Sequence, residues 1–175
     1  MMTRLLLISS WFQALWLLAV LGNEAWQWWL VALVVATYAV TIGVSAKPLP
    51  LSFVGIVFVV GIGIDSVNML AGVLRFEYAM HSTWLIPIWL SALWAIFIWY
   101  STFLLPLVNT YPSWIVTVIG GLSGALSYWA GERLGAVEFG YPPTLSLLIL
   151  FGQWMVVIGL MLRIYGNEKD HDIPV

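Results

Sequence analysis

The chain contains no cysteine, and charged residues make up only 8% of its 175 residues. The absence of cysteine excludes disulfides, thiolate catalysis and metal sites built on thiolates. Soluble domains carry roughly 25% charged residues, so a chain this poor in charge has no water-soluble fold. The net charge of -2 comes without any run of basic residues, which excludes the electrostatic footprint of a nucleic-acid-binding protein.

Apolar sequence is what the chain has in abundance. Hydrophobic residues make up 62% of it, and the mean hydropathy is +0.99. A helix that crosses a bilayer needs roughly 17 to 25 predominantly apolar residues. Six such segments occur, at about 5–21, 26–45, 51–74, 84–105, 113–131 and 144–162. The sequence therefore predicts an all-α, polytopic integral membrane protein, with six transmembrane helices in one bundle over residues 1–164 and a hydrophilic tail over 165–175.

The first segment has a second interpretation. Arg4 followed by a long apolar stretch is also the pattern of a secretory signal peptide. Bulky side chains such as Trp11 and Trp16 interrupt that stretch, and Asn23-Glu24-Ala25 is a poor cleavage site. We therefore expect a retained first transmembrane helix.

The third segment carries an aspartate. Its apolar part, from Leu51 to Ile64, would form roughly 21 Å of helix, whereas the hydrocarbon core is about 30 Å thick. The helix is therefore expected to continue towards Leu74 and to place Asp65 inside the membrane zone. An ionisable side chain there is a functional-site hypothesis by default, and the plain alternative is a structural bond to a neighbouring helix. Helical spacing places five residues on one face: Gly61, Asp65, Asn68, Gly72 and Arg75.

The fifth segment is rich in small residues. Gly120 and Gly124 form a GxxxG pair, and helices in lipid associate by close packing through such residues. The pattern predicts a helix-packing face that consists of Gly120, Gly121, Ser123, Gly124, Ser127 and Gly131.

Six spans place both termini on one side of the membrane. The basic residues of that side are Arg4, Lys47, Arg163 and Lys169, and those of the other side are Arg75 and Arg133. This imbalance predicts cytoplasmic termini in a bacterial inner membrane.

The exits of the third and fifth spans then share the opposite side of the membrane. We predict a polar site there, made of Asp65, Asn68, Arg75, Glu77, Tyr128, Glu132 and Arg133. A carboxylate in such a site can act as an acid or a base, and an arginine can hold a carboxylate or phosphate headgroup. The alternative is that the arginines only pair with the carboxylates for structure.

Three aromatic residues and one leucine of the fourth span lie on one helical stripe: Trp89, Leu93, Phe97 and Tyr100. Such a stripe can line a site for a flat or polyunsaturated ligand, although aromatic packing between helices is the commoner explanation. The sequence contains no potassium-channel filter, zinc-protease motif or phosphate-binding loop, and we predict no metal and no cofactor.

The segment Gly121-Leu122-Ser123-Gly124 resembles the GxSG nucleophile motif of rhomboid intramembrane proteases. Their serine needs a histidine from a later transmembrane helix, because a hydroxyl needs a base to become a nucleophile. The sixth span has no histidine; His81 lies in a predicted loop and His171 in the tail. An intramembrane serine hydrolase is therefore a remote alternative.

Three motifs together resemble a family of bacterial membrane proteins, the domain-of-unknown-function 2878 family. They are GIGIDSVNMLAGVLRF, PIWLSALW and GGLSGALSYWAGERLGA, and the last is the most specific. The resemblance covers nearly the whole chain and departs from the family at WYSTFLLPL, where a more polar segment is expected. It implies a small inner-membrane protein without an assigned activity, so it supports the topology and supplies no function.

The residues favour a protein that binds a lipid or a lipid-phase small molecule at the polar site of the third and fifth helices, with catalysis left open. The first alternative is a non-catalytic assembly or partner subunit that docks against another membrane protein. The second is a small proton-coupled transporter. Membrane lipids are expected partners in each case, and nucleic acid is not.

Overall fold

The computed structural model describes residues 2–44, 50–76 and 85–171, and the side chains of 3–44, 50–76 and 85–166. Six helices occupy most of this part of the chain. They are α1 (Met2–Gly22), α2 (Gln27–Val44), α3 (Leu51–Leu70), α4 (Ile88–Val108), α5 (Ser113–Arg133) and α6 (Pro143–His171). Each helix is long and apolar enough to cross a membrane. The prediction of an all-α, multi-pass membrane protein with six spans is confirmed.

Two short strands form an antiparallel ribbon beside the helices. The strands are β1 (Leu74–Arg75) and β2 (Glu138–Phe139), and Leu74 pairs with Phe139. Because β1 follows α3 and β2 follows α5, the ribbon joins the ends of these two helices on one side of the bundle.

Helix α3 ends at Leu70, before the expected end near Leu74. Gly72 adopts a positive φ of 71°, and a glycine in this conformation ends a helix because it has no Cβ to clash. The Val73 N–H donates to the Asn68 carbonyl at 2.8 Å, and the Gly72 N–H donates to the Met69 carbonyl at 3.1 Å. This is the Schellman pattern. Gly72 and Arg75 therefore do not share a helix face with Asp65.

Helix α5 ends in the same way. Gly135 has a φ of 77°, the Ala136 N–H donates to the Gly131 carbonyl at 2.9 Å, and the Gly135 N–H donates to the Glu132 carbonyl at 3.1 Å. After each of these two helix ends the chain enters the ribbon, where the Gly140 N–H donates a hydrogen bond to the Val73 carbonyl at 3.0 Å. A side chain at Gly140 would overlap the backbone of Gly72, so the close approach of the two segments requires glycine there.

Helix α4 lies at the centre of one half of the bundle. Half of its span is buried (50%), the largest share among the described spans, and it packs against α1, α2 and α3. Helix α5 packs most extensively against α6, and α6 also contacts α3. Contact of α5 with α1 and α4 is slight, which leaves space between these helices.

Helix α6 continues through Gly166 to His171, beyond the expected end of the span near residue 162 and into the predicted tail. No proline occurs between Pro143 and Pro174, so no residue in this part of the chain removes a helical hydrogen bond. The hydrophilic tail is thus helical as far as the structure describes it.

Candidate functional site

Asp65 is buried within the bundle although it is ionisable. Only 1% of its surface is exposed. One carboxylate oxygen, Oδ2, accepts a hydrogen bond from Trp94 Nε1 at 2.7 Å and another from the Tyr128 hydroxyl. Asn68 Nδ2 lies 3.5 Å from the other oxygen, Oδ1. Because a buried polar group without partners is costly, these donors explain how α3 tolerates an aspartate.

A glycine one turn earlier makes room for the indole. A Cβ at Gly61 would lie 2.5 Å from the Trp94 ring, which is closer than side-chain atoms pack. Gly61 and Asp65 are four residues apart and therefore lie on the same face of α3. The ring of Trp94 packs against Gly61 while its N–H reaches the carboxylate.

Helix α6 is linked to α3 by hydrogen bonds between two side-chain amides. Asn68 Nδ2 donates to Gln153 Oε1 at 2.8 Å, and Gln153 Nε2 donates to Asn68 Oδ1 at 2.8 Å. Side chains of α3, α4, α5 and α6 are thus linked in one set, which we call the Asp65 network: Asp65, Asn68, Trp94, Tyr128 and Gln153.

The structure brings together three residues of the predicted polar site: Asp65, Asn68 and Tyr128. Arg75 lies in β1 with its backbone paired to that of Glu138. Glu132 and Arg133 are near the surface, with Arg133 Nε 3.8 Å from Glu132 Oε2 and the Arg133 side chain 70% exposed. Glu77 lies outside the described residues. In the part of the chain that the structure describes, Asp65, Asn68 and Tyr128 thus belong to a hydrogen-bonded network without an arginine, and the full ionic cluster stays a prediction.

Sequence reasoning left Trp94 and Gln153 out of the site. Gln153 is the strongly polar side chain of an otherwise aliphatic span. Because an amide in lipid needs a hydrogen-bond partner, its presence there predicts a bond to another helix. For Trp94 the signal is weaker, because the fourth span contains several tryptophans and only the packing on Gly61 distinguishes this one.

An aromatic cavity of about 70 Å³ lies beside the Asp65 network. The rings of Trp94 and Tyr128 form part of its wall. Trp94 stacks on Trp154, with ring centroids 5.1 Å apart and planes 8° apart. The predicted aromatic stripe contributes Trp89, Leu93 and Phe97 to the lining. Asp65 itself lies behind Trp94 and Tyr128 and is not among the described lining residues.

A larger lateral groove of about 840 Å³ runs between α1, α4, α5 and α6. Along α5 its lining extends from Ile115 to Ala130, which corresponds to about 22 Å of helix. Exposed side chains such as Ile119 (58%) and Leu126 (55%) border it, so the groove lies on the face that meets the bilayer. The aromatic cavity and the lateral groove share five lining residues: Phe12, Trp16, Phe97, Ser127 and Trp154.

The predicted helix-packing residues of α5 do not all face the same neighbour. A Cβ at Gly120 or Gly121 would lie 2.7 Å from side-chain atoms of α6, and one at Gly124 would overlap the Trp154 ring. These glycines therefore lie against α6. Ser123 and Ser127 line the groove, as do Gly120 and Gly124. Gly131 faces Val137, where a Cβ would be 3.6 Å from the nearest side-chain atom.

The two serines have different hydrogen bonds. Ser123 Oγ donates to the Ile119 carbonyl at 2.9 Å, the usual back-bond of a serine within a helix. Ser127 Oγ accepts from Trp16 Nε1 at 2.9 Å, which links α5 to α1.

Comparison with known proteins identifies a family and no activity. A family model described as a protein of unknown function (DUF2878) matches residues 5–160, which reach from α1 into α6. Neither the curated proteins nor the solved structures give a match to the chain. The function therefore has to be inferred from the geometry of the site.

Proposed function

The chain belongs to the DUF2878 family, and from that premise we propose that it binds a lipid-phase small molecule in the lateral groove and aromatic cavity. The observation that carries the proposal is that the two spaces adjoin, since residues such as Trp16, Phe97 and Ser127 line both of them. A molecule dissolved in the bilayer can enter the groove from the side without crossing water.

The size and lining of the groove support this function. Small-molecule sites are concave, mostly apolar and roughly 300 to 1,000 Å³ in volume, with a few placed polar groups. The groove of about 840 Å³ fits this range. Apolar residues of α4 and α5 such as Leu104, Val108 and Ile115 form most of its wall, and Gln13 and Ser127 are among its few polar residues.

The Asp65 network acts in this proposal as a support. Asp65 holds the indole N–H of Trp94 and the hydroxyl of Tyr128, and these two rings face the aromatic cavity. Rings locked by buried hydrogen bonds keep a binding surface in one shape. We therefore assign Asp65 a positioning role for the cavity wall and no contact with the ligand.

We place the protein in a bacterial inner membrane with both termini in the cytoplasm. Basic residues support this orientation, because four of them fall on the terminal side and two on the other, as counted above.

The proposal is tested by filling the groove. Ser123 lines it, so Ser123→Phe should remove bound ligand by occupying its volume. Leu122 is the adjacent residue of α5, is 50% exposed and is not among the described lining residues, so Leu122→Phe is the matched control. Wild type and both variants are purified at equal yield in a mild detergent, and the co-purifying small molecules are identified by mass spectrometry.

We expect a specific apolar molecule in wild type and in Leu122→Phe that is lost from Ser123→Phe. Bulk phospholipid alone in all three preparations would contradict the proposal, and the non-catalytic partner subunit would then become the preferred function.

A further inference from the structure

We infer that the occupant is a neutral amphiphile with a long apolar chain and a head whose oxygen accepts a hydrogen bond from Ser127. The inference deepens the proposed function and rests on it, because it concerns the chemical class of the molecule in the same groove.

The charge of the lining excludes an ionised head. Among the described residues that line the groove and the cavity, none is Asp, Glu, Lys or Arg. A carboxylate or phosphate drawn into this space would lose its hydration and gain no counter-charge, which is strongly unfavourable. Asp65, which lies behind the cavity wall, is itself acidic and bonded to Trp94 and Tyr128. A neutral head avoids this cost.

The serine hydroxyls of the lining show where the head binds. A serine has one proton to donate and two lone pairs to accept with. The protons of Ser101 and Ser123 are donated to the carbonyls of Phe97 and Ile119 at 2.7 Å and 2.9 Å. Ser127 accepts from Trp16 Nε1, and its own proton has no acceptor within the described part of the chain. A ligand oxygen at this position would receive that proton.

Helix α1 adds a second neutral polar group to the same place. Gln13 also lines the groove, and it lies three residues before Trp16, so the two side chains share a helix face. Its amide can donate and accept. Beyond these residues the groove towards Tyr111 is lined mainly by apolar side chains: Leu104, Leu105, Val108, Ile115 and Ile119. The head therefore lies at the junction of groove and cavity, and the chain extends towards the α4–α5 turn.

Photolabelling with matched probes tests the inference. Four probes carry the same long chain with a diazirine and differ only in the head: an alcohol, a methyl ketone, a carboxylate and a phosphate monoester. The full chain in detergent is irradiated with each probe at alkaline pH, where the last two are ionised, and labelled peptides are located by mass spectrometry. We expect the neutral probes to label the groove segment of α5 at least about tenfold more than the ionised ones.

Serine-to-alanine variants test the role of the hydroxyl. Ser127→Ala should lower labelling by the alcohol and ketone about fivefold, the effect of one lost hydrogen bond to a neutral group. Ser91→Ala in α4 should leave labelling unchanged, since Ser91 is not among the described lining residues and donates its proton to the Pro87 carbonyl at 3.3 Å. Unchanged labelling of Ser127→Ala would overturn the assigned contact.

The remaining outcomes separate the two proposals. Equal labelling by all four probes, or stronger labelling by the ionised probes, would overturn the neutral head. The proposed function is still supported in that case if Ser123→Phe abolishes the labelling. Absence of groove labelling by every probe, or labelling insensitive to Ser123→Phe, overturns both.

Discussion

At the scale of single residues, Asp65 depends on three neighbouring side chains that direct hydrogen-bond donors at its carboxylate. It is 1% exposed in a membrane-spanning helix, and its donors come from α3, α4 and α5. Inside the membrane the carboxylate and its donors have no water to hydrogen-bond with. They therefore stabilise one another only while all of them are present.

We expect Asp65→Leu to destabilise the protein by about 1 to 3 kcal/mol for each donor left without an acceptor. The two donors concerned are Trp94 Nε1–H and the Tyr128 hydroxyl. Asp65→Asn keeps one acceptor oxygen and should cost less. Thermal unfolding in detergent, followed by tryptophan fluorescence, measures the difference.

The neighbouring Ser66 is the matched control. It is 7% exposed, and its Oγ has no hydrogen-bond partner in the described part of the structure. Removing an unsatisfied buried hydroxyl costs nothing, so Ser66→Ala should be as stable as wild type or more so. An Asp65→Leu variant as stable as Ser66→Ala would show that the network contributes no stability.

At the scale of elements, the α5–α6 pair depends on glycines. Gly124 brings the backbone of α5 against the ring of Trp154, and Trp154 in turn stacks on Trp94 in the cavity wall. Packing of the two helices and the shape of the candidate site are therefore linked through one side chain.

Gly124→Ala should destabilise the protein by about 1 to 3 kcal/mol, because the added methyl group overlaps the Trp154 ring and overpacks the interface. Gly152→Ala in α6 is the control, since a Cβ there meets nothing within 4 Å, and it should stabilise the helix by about 0.5 to 1 kcal/mol. Unfolding temperatures of the two variants are compared with wild type. Equal shifts of the same sign would contradict the proposed close contact.

At the scale of the whole molecule, exposed aromatic residues mark both ends of the bundle. Trp28 (67% exposed) and Trp29 (72%) lie at the start of α2, Tyr111 (65%) lies between α4 and α5, and Trp114 (69%) lies at the start of α5. Since the helices alternate in direction, these pairs fall on opposite sides of the membrane. Indole and phenol rings favour the headgroup layers, so the two belts are consistent with the six-span arrangement.

Reporter fusions test the proposed orientation. A fluorescent protein fused after Val175 should fluoresce, and alkaline phosphatase fused there should be inactive, because the terminal side carries the larger number of basic residues. A phosphatase inserted in the connection between β1 and α4 should be active. The opposite pattern would place the termini outside the cytoplasm.

The six spans were determined by the sequence alone. Within lipid every backbone N–H and C=O must be satisfied inside its own segment, so a span is a local property that hydropathy reveals. Hydropathy does not show where α3 ends, because the residues that follow this helix stay apolar as far as Leu74. Gly72 and Gly135 end α3 and α5 by adopting positive φ values, and the end of α3 at Gly72 removes Arg75 from the helix face of Asp65.

The partners of Asp65 were decided by tertiary packing. Which indole reaches the carboxylate depends on the room that Gly61 leaves for Trp94, and the approach of Gln153 to Asn68 depends on how α6 lies against α3. The lateral groove exists because α5 packs against α6 and makes little contact with α1 and α4. These are relations between helices, set by the shapes of side chains far apart in the chain, and no local pattern of hydropathy contains them.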